Sequence, residues 1–263
     1  MRRGKVSLNL ATIRPASFPR KLQAAYGAGF PAVGLWYDEL KGLGANEMQE
    51  FHLSSLAVSE LVGLSGWMDV DRMSRTIALA RAEEMFEAAA NLRCEVVVAE
   101  PDAQATDLLR AASHFRELCR LAEPFPVKVG LEFHGDAQAI KDIAAAWQVV
   151  ESAEAQNGGI VLDTFHCYRG GSSVEMLAPV PGDRILLVQV SDCMELPRYE
   201  LDDRHRLYPG EGAISLEPLL AAVRDKGYSG YYSLELMNED YWLADPATVA
   251  RDGMRALRRL EIM

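Results

Sequence analysis

Val129-Gly130-Leu131-Glu132-Phe133-His134 and Ile160-Val161-Leu162-Asp163-Thr164-Phe165-His166 are apolar runs that each end in a carboxylate followed shortly by a histidine. The two carboxylates stand 31 residues apart. Leu187-Val188-Gln189-Val190-Ser191-Asp192 repeats the pattern 26 residues on, and Ser233-Leu234-Glu235-Leu236 repeats it after a further 46. Near-continuous apolar runs of this kind are strands buried on both faces, as in parallel sheets sheathed by helices. Each separation is close to one strand, one helix and their loops. Four successive strands therefore carry Glu132, Asp163, Gln189 and Glu235 at comparable depth.

Working outward, strand patterns cover 6–11, 32–36, 58–64, 95–99, 127–133, 159–164, 185–190 and 231–236. Helical patterns lie between them at 19–26, 46–56, 74–91, 107–122, 137–155, 173–177, 215–226 and 246–260. The first helix ends at Gly27 and Gly29. The helix at 215–226 takes Ser215 as its cap and has Gly227 after its end. Eight strands alternating with eight helices over 263 residues predict a single (β/α)8 TIM barrel in one domain, 1–263. A doubly wound sheet with an extra subdomain is the alternative. The longest irregular stretch, 192–212, connects the seventh strand to its helix, and a connection of that length usually carries function.

The composition is that of an ordinary globular chain, 49% hydrophobic and 25% charged. A net charge of −11 gains nothing from counterion release, so a nucleic-acid partner is disfavoured. No run approaches the ~18 apolar residues of a membrane span, and the N-terminal residues lack the pattern of a targeting signal. Cys94, Cys119, Cys167 and Cys193 are widely spaced and read as reduced thiols. The expected location is the cytoplasm. A homo-oligomer is left open.

In a barrel, chemistry sits at the C-terminal ends of the strands. A lone acid there often caps a helix or pairs with an arginine, but three acids and an amide on four successive strands are hard to read that way. Three carboxylates converging on the barrel axis repel unless a cation lies between them. With the carbonyl of Gln189 they form an all-oxygen set suited to one divalent ion, Mn²⁺ or Mg²⁺ before Co²⁺ or Zn²⁺. His134 and His166 are placed to bind a substrate hydroxyl or move a proton. Arg206 is a candidate anion contact in the long loop. Trp36, Tyr37 and Trp67, near early strand ends, are candidates for an apolar wall of the site, with the core as the equal alternative.

The strings Gly130-Leu131-Glu132-Phe133, Val161-Leu162-Asp163-Thr164-Phe165-His166, Arg206-Leu207-Tyr208-Pro209-Gly210-Glu211-Gly212 and Ser233-Leu234-Glu235-Leu236 together resemble the xylose-isomerase-like barrel superfamily. The resemblance is to its sugar phosphate isomerase/epimerase branch, with inosose isomerase and the ketose 3-epimerases. It implies that Glu132, Asp163 and Glu235 bind metal, that the two glutamates exchange protons with substrate carbon, and that His166 and Arg206 contact substrate oxygens. The fourth ligand in that family is commonly His. Gln189 stands there instead, as in members resembling 3-dehydroshikimate dehydratase, so a lyase is the second expectation. An abasic-site endonuclease, which uses more histidines than the five present, and a non-catalytic binding barrel rank below. The leading expectation is a metal-dependent isomerase or epimerase of a small polyhydroxylated carbonyl compound, working by proton transfer through an enediolate.

Overall fold

The computed structural model describes residues 5–102, 104, 107–260 and 262. The basic start at 1–4 lies outside the described residues. Eight strands form the barrel: β1 (Lys5–Asn9), β2 (Ala32–Trp36), β3 (Ala57–Leu64), β4 (Val96–Ala99), β5 (Lys128–Glu132), β6 (Gly158–Asp163), β7 (Ile185–Val190) and β10 (Tyr231–Leu234). They close in the order β1-β10-β7-β6-β5-β4-β3-β2, every neighbour parallel. Closure rules out the doubly wound alternative. A two-stranded antiparallel ribbon, β8 (Asp192–Cys193) with β9 (Arg206–Leu207), lies in the long connection after β7.

The larger helices are α1 (Phe18–Ala28), α3 (Ala45–Leu53), α4 (Arg72–Asn91), α5 (Leu108–Ala122), α6 (Ile143–Ala153), α8 (Leu216–Asp225) and α10 (Pro246–Arg259). Several begin at an aspartate. Asp71, Asp107, Asp142 and Asp245 accept the backbone N–H of Ser74, Arg110, Ala145 and Thr248. Such a cap contributes about 1 kcal/mol. Asp142 explains why α6 starts six residues later than the pattern suggests: the capped turn outcompetes the Ala-rich stretch before it. Ser215 occupies the cap position of α8 without a side-chain bond. Gly29 ends α1 in the left-handed region at φ 86°, where a Cβ is costly.

Three short helices were not expected from the pattern: α2 (Tyr37–Lys41), α7 (Thr164–Gly170) and α9 (Glu239–Leu243). They are one to two turns long, too brief to show an apolar period. The stretch expected as a helix at 173–177 is a 3₁₀ turn, Val174–Leu177.

Alternate residues of each strand face outward into one continuous apolar core with the helices, among them Leu8, Val33, Leu61, Val97, Leu131, Leu162, Val188 and Leu234. Inside the barrel a smaller cluster forms from Val62, Val96, Val98, Val161, Leu186 and Leu187. The interior also holds Ser7, Asn9, Glu60, Gln189 and Ser233, all buried. A register shift opposite Ile160 and Val161 sets Asp163 level with Gln189. No described helix is long and apolar enough to cross a membrane. All four cysteines are buried and unpaired.

Glu60 fits inside the barrel because its neighbour on β2 is a glycine. A Cβ at Gly34 would stand 2.0 Å from Glu60 Oε1. Gly34→Ala is therefore expected to lower stability by about 1–3 kcal/mol, the usual range for overpacking. Urea denaturation checks it, and Glu60→Ala in the same chain should recover part of the loss. Equal midpoints for Gly34→Ala and the parent would show that the two sites do not collide.

Candidate active site and metal centre

Glu132 closes β5, Asp163 closes β6, and Glu235 follows directly on β10. One carboxylate oxygen from each lies within 4.8 Å of the others. All three side chains are buried. Burial, then the Glu235 and Asp163 carboxylates, push Glu132 well above the usual carboxylate range. Burial likewise holds Glu235 well above it, against the pull of Arg206. Three such acids in one dry space are stable only if protonated or matched by positive charge.

Asp163 has two further tasks. Its Oδ1 accepts the His166 N–H at 3.0 Å, capping α7, and its Oδ2 accepts Arg206 Nη1 at 2.7 Å. Gln189 sits between these strands, in register with Asp163 on one side and Ser233 on the other. It is fully buried, yet neither its Oε1 nor its Nε2 has a hydrogen-bond partner. An orphaned buried amide costs about 1–3 kcal/mol unless something binds it. A divalent cation fits this set: three hard carboxylate oxygens, with one amide oxygen left free beside them.

His166 is buried against the same acids. Gly135 N–H donates to its Nδ1 at 3.2 Å, and Arg206 Nη2 lies 3.5 Å from its Nε2. That atom stands 3.9 Å from Glu132 Oε1. Burial pulls the His166 imidazolium down to about 3, so the ring is neutral near pH 7. His134 stacks on it, ring centroids 4.7 Å apart and 21° from parallel, and burial lowers its pKa also. Glu132, His134 and His166 form a second group able to hold a metal.

Arg206 is delivered by the β8–β9 ribbon. Asp192 organises this loop: its Oδ1 accepts Ile214 N–H at 2.8 Å and its Oδ2 accepts Gly210 N–H at 3.1 Å. Arg206 is wholly buried. Besides Asp163, it donates to Ser191 Oγ at 3.2 Å and to Asp203 Oδ1 at 2.9 Å, and it lies over the Phe165 ring. Burial opposes its charge, but Asp163, Asp203 and Glu235 outweigh that and keep it cationic. The sequence reading cast Arg206 as an anion contact; here much of its donor edge is engaged by the protein. Trp36 is joined to the acids through Asn9. Its Nε1 donates to Asn9 Oδ1 at 3.1 Å, and Asn9 Nδ2 donates to Glu235 Oε1 at 2.9 Å.

Sequence reasoning missed Asn9, Glu60 and Glu100. Asn9 ends the alternating run Val6-Ser7-Leu8-Asn9, whose period alone marks Ser7 and Asn9 as inward-facing. Glu60 Oε1 accepts Ser233 Oγ at 2.6 Å and Asn9 Nδ2 at 3.4 Å, and burial raises its pKa. Glu100 follows β4 as Glu132 follows Leu131, and Ala99 pairs with Leu131. It therefore lies beside Glu132 on the wall of the site. Burial pushes its carboxyl up to about 7, with Asp203 adding to the effect.

Comparison with known proteins agrees with this fold. A family model described as a xylose isomerase-like TIM barrel matches residues 22–260. An inosose isomerase of Halalkalibacterium halodurans is 32% identical over 212 residues, 78% of this chain and 73% of that protein. A 3-dehydroshikimate dehydratase of Pseudomonas aeruginosa is 29% identical over 264 residues, 96% of this chain but only 41% of that protein. Among solved structures, the IolI protein with a bound zinc atom superposes with TM-score 0.90 at 24% identity, covering 97% of each chain. The D-psicose 3-epimerase of Clostridium cellulolyticum in complex with D-tagatose gives 0.76 at 16% identity, over 97% of this chain and 98% of that one. At these identities the two structures speak to the fold alone.

Proposed function

The chain belongs to the xylose isomerase-like TIM barrel family, and on that premise we propose that it is a divalent-metal-dependent isomerase or epimerase of a small polyhydroxylated carbonyl compound. The observation that carries this reading is the convergence of Glu132, Asp163 and Glu235 beside the unpartnered amide of Gln189. Glu132, Asp163, Gln189 and Glu235 would hold the ion. A cation there would polarise the substrate carbonyl and a neighbouring hydroxyl, acidifying the adjacent C–H. One of Glu132 and Glu235 takes that proton, and the other returns one at the neighbouring carbon or the opposite face. Asn9 fixes the Glu235 carboxylate. The neutral imidazole of His166, its Nε2 3.9 Å from Glu132, is placed to hydrogen-bond a substrate oxygen. The buried site keeps bulk water from the carbanionic intermediate.

The same pair supports a second reading. The glutamate that has taken the C–H proton can return it, directly or relayed through the His166 imidazole beside it, to a departing β-hydroxyl that leaves as water, and two 3-dehydroshikimate dehydratases are among the relatives. The deciding experiment reconstitutes the protein anaerobically with Mn²⁺, Mg²⁺, Co²⁺ or Zn²⁺ and screens ketoses, inososes and 3-dehydroshikimate. Solvent deuterium on recovered sugar carbon supports the isomerase. An unsaturated product absorbing in the near ultraviolet supports the lyase. No turnover with any metal rejects both.

The oxygen-only donor set favours Mn²⁺ or Mg²⁺. Imidazole is a better donor than an amide for later transition metals, so Gln189→His is expected to move preference toward Co²⁺ or Zn²⁺. Competition measured by elemental analysis checks this. An unchanged preference would remove Gln189 from the ligand set.

A further inference from the structure

Arg14 stands at the C-terminal mouth of the barrel, one residue beyond the short turn that follows β1. Its guanidinium lies 5.3 Å from the centroid of the Trp36 ring and 5.3 Å from that of Trp242. Both indoles are anchored. Trp36 Nε1 donates to Asn9 Oδ1 at 3.1 Å, and Trp242 Nε1 donates to the Ala11 carbonyl at 2.8 Å. The two rings thus hang from the exit of β1, and the exposed guanidinium of Arg14 lies against both. The frame lies beside the reacting groups. Asn9 joins Trp36 to Glu235, and Arg14 Nη2 reaches Met237 Sδ at 4.0 Å, two residues past Glu235.

This arginine has no carboxylate within ion-pair distance among the described residues, although the chain carries 38 acids. Stacking uses the faces of a guanidinium and leaves its N–H edge free, the edge that binds a carboxylate or phosphate in bidentate fashion. The other arginine of the site, Arg206, is engaged by Asp163, Asp203 and Ser191. The far wall carries the opposite chemistry, with Glu100 beside Glu132. Positive charge is therefore available to a ligand at the β1–β2 side of the mouth, while the acids stand at the ends of β4, β5, β6 and β10.

We propose that Arg14, lying against Trp36 and Trp242, is a specificity residue that binds an oxyanion of the substrate, so that the natural substrate is an anionic polyhydroxylated carbonyl compound rather than a neutral sugar. The inference rests on the reading of the site above as one for a polyhydroxylated carbonyl compound and adds the charge that reading leaves open. A carboxylate on the carbon skeleton and a phosphate ester share the required chemistry.

The test follows binding through tryptophan fluorescence, to which Trp36 and Trp242 contribute among the four tryptophans of the chain, and does not require turnover. The full chain, with Mn²⁺ present, is titrated with shikimate, an unreactive cyclic polyol bearing a carboxylate, with inorganic phosphate, and with myo-inositol, an uncharged cyclic polyol. Intrinsic tryptophan fluorescence is followed. Shikimate or phosphate should bind about 10- to 100-fold more tightly than myo-inositol, the range of one charge-assisted bidentate contact. Arg14→Met, which keeps bulk against the rings, should abolish that difference, and Arg14→Lys should keep part of it. Tight shikimate with weak phosphate identifies a carboxylate-bearing substrate; the reverse identifies a phosphorylated one. Absence of any anion preference in the parent protein, including failure of both anions to saturate, overturns the proposal. So does an undiminished preference in Arg14→Met. If the metal and substrate screen shows no turnover, the isomerase reading falls, while this titration still decides whether Arg14 selects an anion.

Discussion

Glu235→Gln is expected to lower turnover by about 10²–10⁴-fold while leaving the fold intact, because it removes a proton-transfer group and keeps an oxygen in the ligand position. The glutamine is isosteric, and its amide oxygen can still accept the Asn9 Nδ2–H that holds the native carboxylate. Buried carboxylates are costly, and burial already pushes this one well above its usual range. Its neutral counterpart should therefore fold at least as stably without metal. Elemental analysis is needed beside the rate, since an amide oxygen is a weaker ligand than a carboxylate. Loss of rate with the ion still bound separates acid–base chemistry from metal binding. A wild-type rate at full metal content would mean that Glu235 carries no proton. Turnover in D₂O with no deuterium uptake carries less weight, because a shielded base can return the proton it took.

What the sequence reveals of this site follows from how each residue is placed. Glu132, Asp163, Gln189 and Glu235 are legible because a charged or amide group that ends an apolar run stands out against it. The C-terminal half carries four such signals, and the barrel follows from their spacing. Glu60 breaks an apolar run too, but it lies mid-strand, and only Gly34 on the adjacent strand makes room for it. That is a pairing between strands, which a linear reading does not contain. Glu100 lies just past a four-residue strand, in a Pro-Asp context that reads as a loop. Its place beside Glu132 is fixed by the β4–β5 register. Arg206 looks like a loop residue in sequence and is buried only because the β8–β9 ribbon folds it back over Asp163. The helices α7 and α9 escaped notice for a local reason: each is nucleated by a side-chain cap, Asp163 or Asn238, rather than by an amphipathic stripe. Asn238 has a second task, donating to the Arg206 carbonyl at 2.9 Å, and so ties the last strand's loop to the ribbon.

Arg206→Met should produce the largest loss of stability, and the size of that loss should depend on metal. In the absence of a cation Arg206 supplies positive charge to Asp163 at 2.7 Å, with Glu132 and Glu235 close by. Methionine can replace its contact with the Phe165 ring but none of its charge. Removing one member of a buried ion pair typically costs 3–5 kcal/mol, because the remaining charge has no compensation. For a chain of this size that is a fall in melting temperature of roughly 6–20 °C, at about 2–4 °C per kcal/mol. A divalent ion bound by the same carboxylates takes over the neutralisation of Asp163. Mn²⁺ at about 100 times its dissociation constant stabilises the native parent by about 2.7 kcal/mol. It should stabilise Arg206→Met by more, since in the variant the ion no longer shares Asp163 with a guanidinium. Calorimetry of parent and variant, each with and without Mn²⁺, measures both effects. A variant that melts with the parent would show that the Arg206–Asp163 pair contributes nothing net. A smaller metal-induced shift in the variant would show that Arg206 holds Asp163 in place for the ion rather than competing with it, and the shared-carboxylate account would have to be abandoned.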